Sequence, residues 1–311
     1  MTRNLRGATE FPLPDMSHSH KIPFLLASTL FLTGCSINKM AVDSIGNALA
    51  GSSASVFATD NDPELVRDAL PFTLKLMETL LAESPENTNL LLAATSGFTQ
   101  YGYAFVEQDA WRLEDEDYLA SEIQMQRARK LDLRARDYGL RGLETRYPGF
   151  SDGLRSDPQK AAAQVAIDDV PLLYWTAASW GSAIGLSVDD PTTISDIGLM
   201  EALIYRAYAL DPDWDAGAIH GFLITYEMTK SGGEPSPEER AREHFARAVA
   251  LSDGMSAGPY LSLAESVSVP NQDRREFEQL LGQALAVDPD AREEWRLVNI
   301  IMQERALWLL E

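Results

Sequence analysis

The chain has 311 residues with a formal net charge of −21 at pH 7, and 45% of its residues are hydrophobic. This hydrophobic content excludes a disordered chain, which has too few apolar residues to build a core. The acidic charge argues against nucleic-acid binding, because such a surface repels a phosphate backbone. The chain has a single cysteine, so no intrachain disulfide can form.

The first element in chain order is a leader that ends at the cysteine, Cys35. Lys21 precedes an apolar run over residues 22–32, and residues 32–35 read Leu-Thr-Gly-Cys. The run is too short to cross a bilayer as a helix, which takes roughly 20 apolar residues. This pattern resembles the lipobox of bacterial lipoproteins, in which the leader is cleaved before the cysteine and the thiol carries a lipid. We therefore predict lipid attachment at Cys35.

The leader divides the chain into three predicted parts. A signal peptide covers residues 1–34, and the part before Met16 reads as an over-long upstream start. Residues 35–60 are mostly small and polar, which predicts a flexible, lipid-attached tether. Residues 61–311 are predicted to form a single domain that faces the periplasm. Because Ser36 is not acidic, analogy with bacterial lipoproteins favours the outer membrane over the inner membrane.

The domain is predicted to be all-α, because its apolar residues recur with a period near 3.6 and no long segment alternates. In its first half, helices are predicted from about residue 63 to 81 and from about residue 88 past 105. Pro71 is expected to kink the first of these. The charged stretch from about residue 117 to 146 predicts one or two helices, and residues 151–158 are predicted to be a loop.

The second half repeats one style of helix ending. The same four-residue pattern occurs at residues 209–212, 250–253 and 286–289. Each copy begins with alanine followed by leucine or valine and contains an aspartate, and two copies end in proline. Proline cannot extend a helix, and aspartate can cap the next one. The spacing is near that of the 34-residue tetratricopeptide unit, with the first interval lengthened by a loop at residues 231–235. We predict degenerate tetratricopeptide-like repeats stacked into a helical array with a concave side.

Three segments carry a family resemblance. Residues 174–185 form a helix rich in tryptophan and small residues, and residues 96–105 and 135–144 combine glycine with aromatic or charged residues. Together they resemble TatT-type lipoproteins, which are helical periplasmic proteins associated with TRAP transporters. The resemblance implies an all-α fold with cryptic tetratricopeptide-like repeats and a hydrophobic cleft or pore. It also implies self-association, as a trimer, and partnership with a TRAP-type periplasmic substrate-binding protein.

The tryptophan-containing segment offers the first candidate binding surface. Ala177, Gly181 and Gly185 lie four residues apart and form a smooth ridge, which admits another backbone or leaves room for a ligand. Trp175 and Trp180 are five residues apart, about 140° around a helix, so they cannot share one face. We expect one of them to pack in the core and the other to face a cavity.

Aromatic residues on two predicted helices complete the candidate site. The residues predicted to contact an apolar ligand are Phe98, Tyr101, Phe105, Tyr174, Trp175, Trp180 and Gly181. Aromatic rings supply apolar contact area without charge. Ordinary core packing stays the alternative for each residue, and Trp214 is predicted to pack or to cover a helix start.

Residues suited to catalysis or metal binding are scarce. Of the four histidines, His18 and His20 lie in the leader, so only His220 and His244 remain, and these are interpreted as packing or surface residues. No second cysteine, nucleophile elbow or phosphate-binding loop is present. The acidic run at residues 114–117 is interpreted as a solvated helix start. We therefore predict no enzyme activity, no cofactor and no metal.

The sequence and the resemblance together predict a non-catalytic lipoprotein component of a TRAP-type solute uptake system. It would bind or pass a small hydrophobic or amphipathic ligand and work with a periplasmic substrate-binding protein. The alternative is a tetratricopeptide-like scaffold lipoprotein for protein–protein assembly in the envelope.

Overall fold

The computed structural model describes residues 42–48, 50–51, 56–187 and 190–311. Regular structure in these residues is helical and includes no strand, which confirms the all-α prediction. The predicted signal peptide and Cys35 lie outside the described residues. Within the described part of the chain, no helix combines the length and the apolar character needed to cross a membrane.

Between residues 61 and 146 the structure describes four α-helices, three of them started by an acidic or amide side chain. Their bounds are α1, Pro63–Glu83; α2, Thr88–Tyr101; α3, Gln108–Leu113; and α4, Tyr118–Arg146. Asp62, Asn87 and Asp117 each accept a hydrogen bond from a backbone N–H in the first turn of α1, α2 and α4. These bonds satisfy donors that a helix leaves unpaired. α1 continues past Pro71, and the charged stretch forms one helix.

The middle of the chain contains four shorter or more apolar helices. Their bounds are α5, Phe150–Ser156; α6, Pro158–Ala162; α7, Val170–Gly185; and α8, Pro191–Ile194. The prediction of a loop over residues 151–158 is wrong. Phe150 and Leu154, one turn apart, are both buried, so a short helix places two apolar side chains in the core at once.

The second half contains six α-helices. Their bounds are α9, Ile197–Leu210; α10, Trp214–Met228; α11, Pro237–Leu251; α12, Gly258–Leu263; α13, Arg274–Leu285; and α14, Arg296–Leu310. The predicted endings at residues 209–212, 250–253 and 286–289 lie at or beside the ends of α9, α11 and α13. Ser236 and Glu239 form a capping box that starts α11.

Two segments are π-helical, with hydrogen bonds from residue i to i+5. The first π-helix, Gly102–Glu107, joins α2 to α3, and the second, Ala264–Ser268, follows α12. A π-turn accommodates one residue more than an α-turn and is frequently found at functional sites. Both segments therefore shift the side chains that follow them around the helix axis.

α4 lies against both α2 and α7, and α2 also contacts α7. Two glycines of α4 allow the close approach of α7. A Cβ atom at Gly139 would lie 2.1 Å from Thr176 Oγ1, and one at Gly142 would lie 3.0 Å from Leu172 Cδ1. The three segments that carry the family resemblance, on α2, α4 and α7, are therefore packed together.

Part of the predicted tether contacts the domain. Residues 42–48 are helical. Asn87 Nδ2 donates a hydrogen bond of 3.0 Å to Asp43 Oδ1, and Asn89 Nδ2 donates one of 3.1 Å to Asn47 Oδ1. This stretch of the predicted tether is thus held against the start of α2.

Candidate functional site

α7 has one buried and one accessible face. Ala177 and Trp180 are buried. The accessible face follows helical spacing and consists of Tyr174, Trp175, Ala178, Gly181 and Ser182, which are half-buried, and Gly185, which is exposed. This face carries small residues along most of its length, so it leaves space that larger side chains would fill.

The predicted small-residue ridge is divided between these faces. Ala177 is fully buried in the core. Gly181 lies beside Phe222 of α10, because a Cβ atom on it would be 3.0 Å from the phenyl ring. Among the described residues, no atom beyond the adjoining backbone of α7 lies within 4 Å of a Cβ built at Gly185. The open part of the ridge is therefore its C-terminal end.

The two tryptophans of α7 lie in different surroundings. Trp180 is 3% exposed, and the guanidinium of Arg136 lies 5.2 Å from the centre of its ring system. Trp175 is half-buried and contacts Tyr174 at 5.1 Å between ring centres. Trp180 is thus a core residue covered by a cation, and Trp175 is the one that retains accessible surface.

The other predicted aromatic residues lie on a buried face of α2 and the first π-helix. Phe98, Tyr101 and Phe105 are 2%, 7% and 3% exposed. A guanidinium lies over each ring at 5.4, 5.8 and 5.1 Å from its centre; these belong to Arg134, Arg127 and Arg67, respectively. Among the described residues no aromatic contact joins this group to Tyr174 or Trp175. The two halves of the predicted site are therefore separate clusters.

The accessible residue of the first π-helix is Tyr103, which the sequence did not single out. Its ring is 37% exposed, yet burial raises the pKa of its phenol well above the ordinary value. Tyr174 combines partial exposure with a pKa that burial raises in the same way. Both tyrosines therefore combine accessible surface with extensive contact to the protein.

Two buried carboxyl groups meet at Ser182. Its hydroxyl oxygen lies 2.6 Å from Asp132 Oδ2 and 3.1 Å from Glu107 Oε1. Burial raises the pKa of Glu107 to about 7. Burial, with the nearby charge of Glu107, raises the pKa of Asp132 well above its ordinary value. The sequence signal for this pair was weak: each acid follows an apolar residue, Val106 or Leu131.

Five contacts join five elements into a closed circuit. The circuit runs from the first π-helix to α14, the second π-helix, α10, α7 and back to the first π-helix. Its contacts, in order, are Tyr103 Oη to Met302 Sδ at 4.0 Å, Arg305 Nε to Glu265 Oε2 at 3.0 Å, Ser266 Oγ to Thr225 Oγ1 at 3.0 Å, Phe222 beside Gly181, and Ser182 Oγ to Glu107 Oε1 at 3.1 Å.

This closed circuit is the candidate functional site. Tyr103 and the accessible face of α7 both belong to it. The circuit therefore includes partly exposed aromatic rings and small residues. Concave, largely apolar surfaces with a few polar groups are the usual sites for small ligands. The accessible rings of Tyr103 and Tyr174 are the exposed apolar surface of this circuit.

Two surface depressions lie elsewhere. One, of about 470 Å³, is bordered mainly by polar and charged residues of α11 and α13. The other, of about 250 Å³, lies between α6 and α9. Neither is lined by any of the predicted ligand-binding residues.

The two histidines of the domain, His220 and His244, form a pair. Their Nδ1 atoms are 2.8 Å apart, and the Tyr208 ring packs edge-on against both imidazoles. Burial lowers the pKa of His220 to about 4, assisted by the neighbouring His244. In the described part of the chain, no three acidic, histidine or cysteine side chains lie close enough to hold a metal ion.

Residues 59–311 match the family model described as TRAP transporter T-component (TAtT). The chain is also similar to an uncharacterized protein of Treponema pallidum (strain Nichols), with 29% identity over 306 residues. That similarity covers 92% of this chain and 94% of the relative. Both matches take in the three packed segments on α2, α4 and α7.

Proposed function

Because the chain belongs to the TAtT family of TRAP transporter T-components, we propose that it is a non-catalytic accessory component of a TRAP-type solute uptake system. It binds or passes a small hydrophobic or amphipathic molecule. It hands this molecule to, or receives it from, a periplasmic substrate-binding protein of TRAP type. No bond of the ligand is made or broken.

The observation that supports ligand binding is the closed circuit. Its walls include the aromatic ring of Tyr103 and the accessible face of α7, where Gly181 and Gly185 leave space. Half-exposed rings surrounded by protein provide apolar area that a ligand buries on binding.

The proposed location is the cell envelope, with a lipid on Cys35 as the anchor. The domain then faces the periplasm, and the outer membrane is the favoured membrane. A single covalent lipid holds a protein to a membrane surface without a spanning helix. The membrane is reached through this lipid and not through the acidic domain surface.

The proposed assembly is a trimer of domains, each with tetratricopeptide-like helix pairs in its second half. Stacked helix pairs offer extended surfaces for protein partners. The depression bordered by α11 and α13 is a candidate for contact with the substrate-binding protein, because its charged rim suits a polar, reversible interface.

The function is tested by purifying the lipoprotein from its native host and extracting it with organic solvent for mass spectrometry. We expect a small apolar or amphipathic molecule in stoichiometric amount and a co-purifying TRAP-type substrate-binding protein. A protein partner without any small molecule, in preparations that retain the partner, would instead support the scaffold alternative.

A further inference from the structure

An aromatic cluster lies where the start of α10 meets α7. The ring of Tyr174 contacts Trp175 at 5.1 Å and Trp214 at 4.8 Å between ring centres. All three side chains are half-buried, so part of each ring remains accessible. Elsewhere in the described chain, Arg or Lys groups lie over aromatic rings, but none of these cations covers Tyr174, Trp175 or Trp214.

A carboxylate without a partner follows directly after this cluster. In the described residues, Asp215 makes no salt bridge and no side-chain hydrogen bond, whereas nearby Asp213 is held by Arg247 at 2.6 Å. Asp215 is exposed to solvent, and the protein on one side of it raises the pKa of its carboxyl. Asp215 directly follows Trp214, whose ring lies 4.8 Å from that of Tyr174, and the charge of Asp215 contributes to the raised pKa of Tyr174.

The backbone holds Asp215 in an uncommon conformation. Asp215, Ala216 and Gly217 have φ angles of 47°, 49° and 98°, so three consecutive residues are left-handed. Side-chain-bearing residues rarely adopt this conformation, and strained segments of this kind cluster at ligand-binding sites. A Cβ atom at Gly217 would lie 3.1 Å from Ala248 Cα, so the turn is fixed against α11.

Uncovered aromatic faces beside an unpaired carboxylate have a defined chemical preference. The π-face of an aromatic ring attracts a cation electrostatically, and tryptophan does so best. A carboxylate that has no other partner adds a direct electrostatic attraction for a positive charge beside these rings. Both features disfavour an anionic ligand and favour an ammonium group.

We propose that Tyr174, Trp175, Trp214 and Asp215 bind the cationic ammonium head of an amphipathic ligand. This inference rests on the proposed function and names the chemical class of the ligand that the protein binds. The alkyl part of the ligand then extends along the apolar, small-residue face of α7 toward Gly181.

The test compares octyltrimethylammonium with octyl glucoside, which has the same alkyl chain and an uncharged head. Both are titrated below their micelle-forming concentrations into the purified wild-type protein, and binding is followed by calorimetry. We expect the cation to bind at least about tenfold more tightly, with a preference that weakens at high salt. Equal dissociation constants in the wild-type protein would overturn the inference while leaving the proposed function intact. If neither compound binds, both this inference and the proposed function are overturned.

Asp215→Asn is the informative variant, because asparagine also tolerates the left-handed conformation. It should retain octyl glucoside binding and lose most of the preference for the cation. Asp253→Asn is the matched control, since Asp253 is likewise exposed and left-handed, with a φ of 51°. An Asp215→Asn protein that keeps the full preference would contradict the inference. If Asp215→Asn fails to fold, the dissociation constants of octyltrimethylammonium and octyl glucoside in the wild-type protein still test the inference.

Discussion

The hydroxyl of Ser182 lies 2.6 Å from a carboxyl oxygen of Asp132 and 3.1 Å from one of Glu107, and it has one proton for both. It can donate to one carboxylate, and it can accept only from a carboxyl group that is itself protonated. The geometry therefore favours one neutral carboxyl in the pair. This agrees with the raised pKa values of both groups.

This pair predicts a loss of stability as pH rises. A carboxyl with a higher pKa in the folded state binds more protons there, so the free energy of unfolding falls from about pH 4 through about pH 7. Asp132→Asn removes one of the two charges. It should raise the free energy of unfolding by on the order of 1–3 kcal/mol at pH 8 and change it little at pH 4. Thermal melts across this pH range measure the difference.

The control for this prediction is Asp115→Asn, in the exposed acidic run before α4. It makes the same chemical change at a solvent-exposed position. It should change the free energy of unfolding by the same small amount at every pH. If Asp132→Asn shifted the melting temperature equally at pH 4 and pH 8, the carboxyl pair would not be the source of the pH dependence.

The histidine pair predicts the opposite pH dependence. Burial lowers the pKa of His220 to about 4 and also lowers the pKa of His244. Folding therefore excludes protons that the unfolded chain binds, and this contribution to stability is lost as pH falls from about 6.5 through about 4. Because residues 61–311 contain two histidines, their imidazole NMR signals are directly assignable with His244→Gln. Titration of either folded-state signal near pH 6.5 would refute the prediction.

The contact of α4 with α7 predicts that Gly139→Ala is destabilising. Alanine normally favours a helix over glycine by about 1 kcal/mol. Here its Cβ atom would lie 2.1 Å from Thr176 Oγ1 and 2.9 Å from Thr176 Cβ, which is fixed to the backbone. The helices must separate, so we expect a net loss of about 1–3 kcal/mol in chemical denaturation. Gly185→Ala, with no atom within 4 Å, should be neutral or stabilising.

Ligand binding by the closed circuit predicts the behaviour of Gly181→Leu. Leucine would displace the Phe222 ring and occupy the space beside the accessible face of α7. We expect a helical, folded protein that no longer binds octyl glucoside, as measured by circular dichroism and calorimetry. Unchanged binding by a folded variant would place the site elsewhere. Outright unfolding would identify this position as a helix-packing contact.

The lipid prediction is tested through Cys35→Ser in the native host. Removal of the thiol should give an unprocessed or soluble form that leaves the membrane fraction. A variant that is cleaved and membrane-bound like the wild type would exclude Cys35 as the lipid attachment site. Fractionation of inner and outer membranes from wild-type cells then tests the favoured location.

The helices were largely predictable because their apolar stripes and start signals are local. Asp62, Asn87 and Asp117 mark helix starts directly in the sequence. The helix from Phe150 to Ser156 was missed because it is one short segment whose two apolar residues are buried only by tertiary packing. Local propensity carries little information for such a segment.

The candidate site was predictable only in part. The spacing of Trp175 and Trp180 correctly indicates that they lie on different faces of α7. The same spacing rule separates Phe98 from Tyr103, which are also five residues apart, but it does not indicate which of the two faces is buried. That choice depends on tertiary packing, which a local pattern does not record. The Glu107–Asp132 pair joins residues distant in sequence, and no local pattern records it.

The first π-helix has a consequence for how this family can vary. Because its turn holds one residue more than an α-turn, deletion of a single residue between Gly102 and Glu107 would restore an α-helix. The remaining side chains would then rotate by about 100°, and Tyr103 and Glu107 would no longer face their present surroundings together. The extra residue of this π-turn and the closed circuit are therefore expected to be inherited or lost together. Homologues can be sorted by this one-residue difference before any ligand is known.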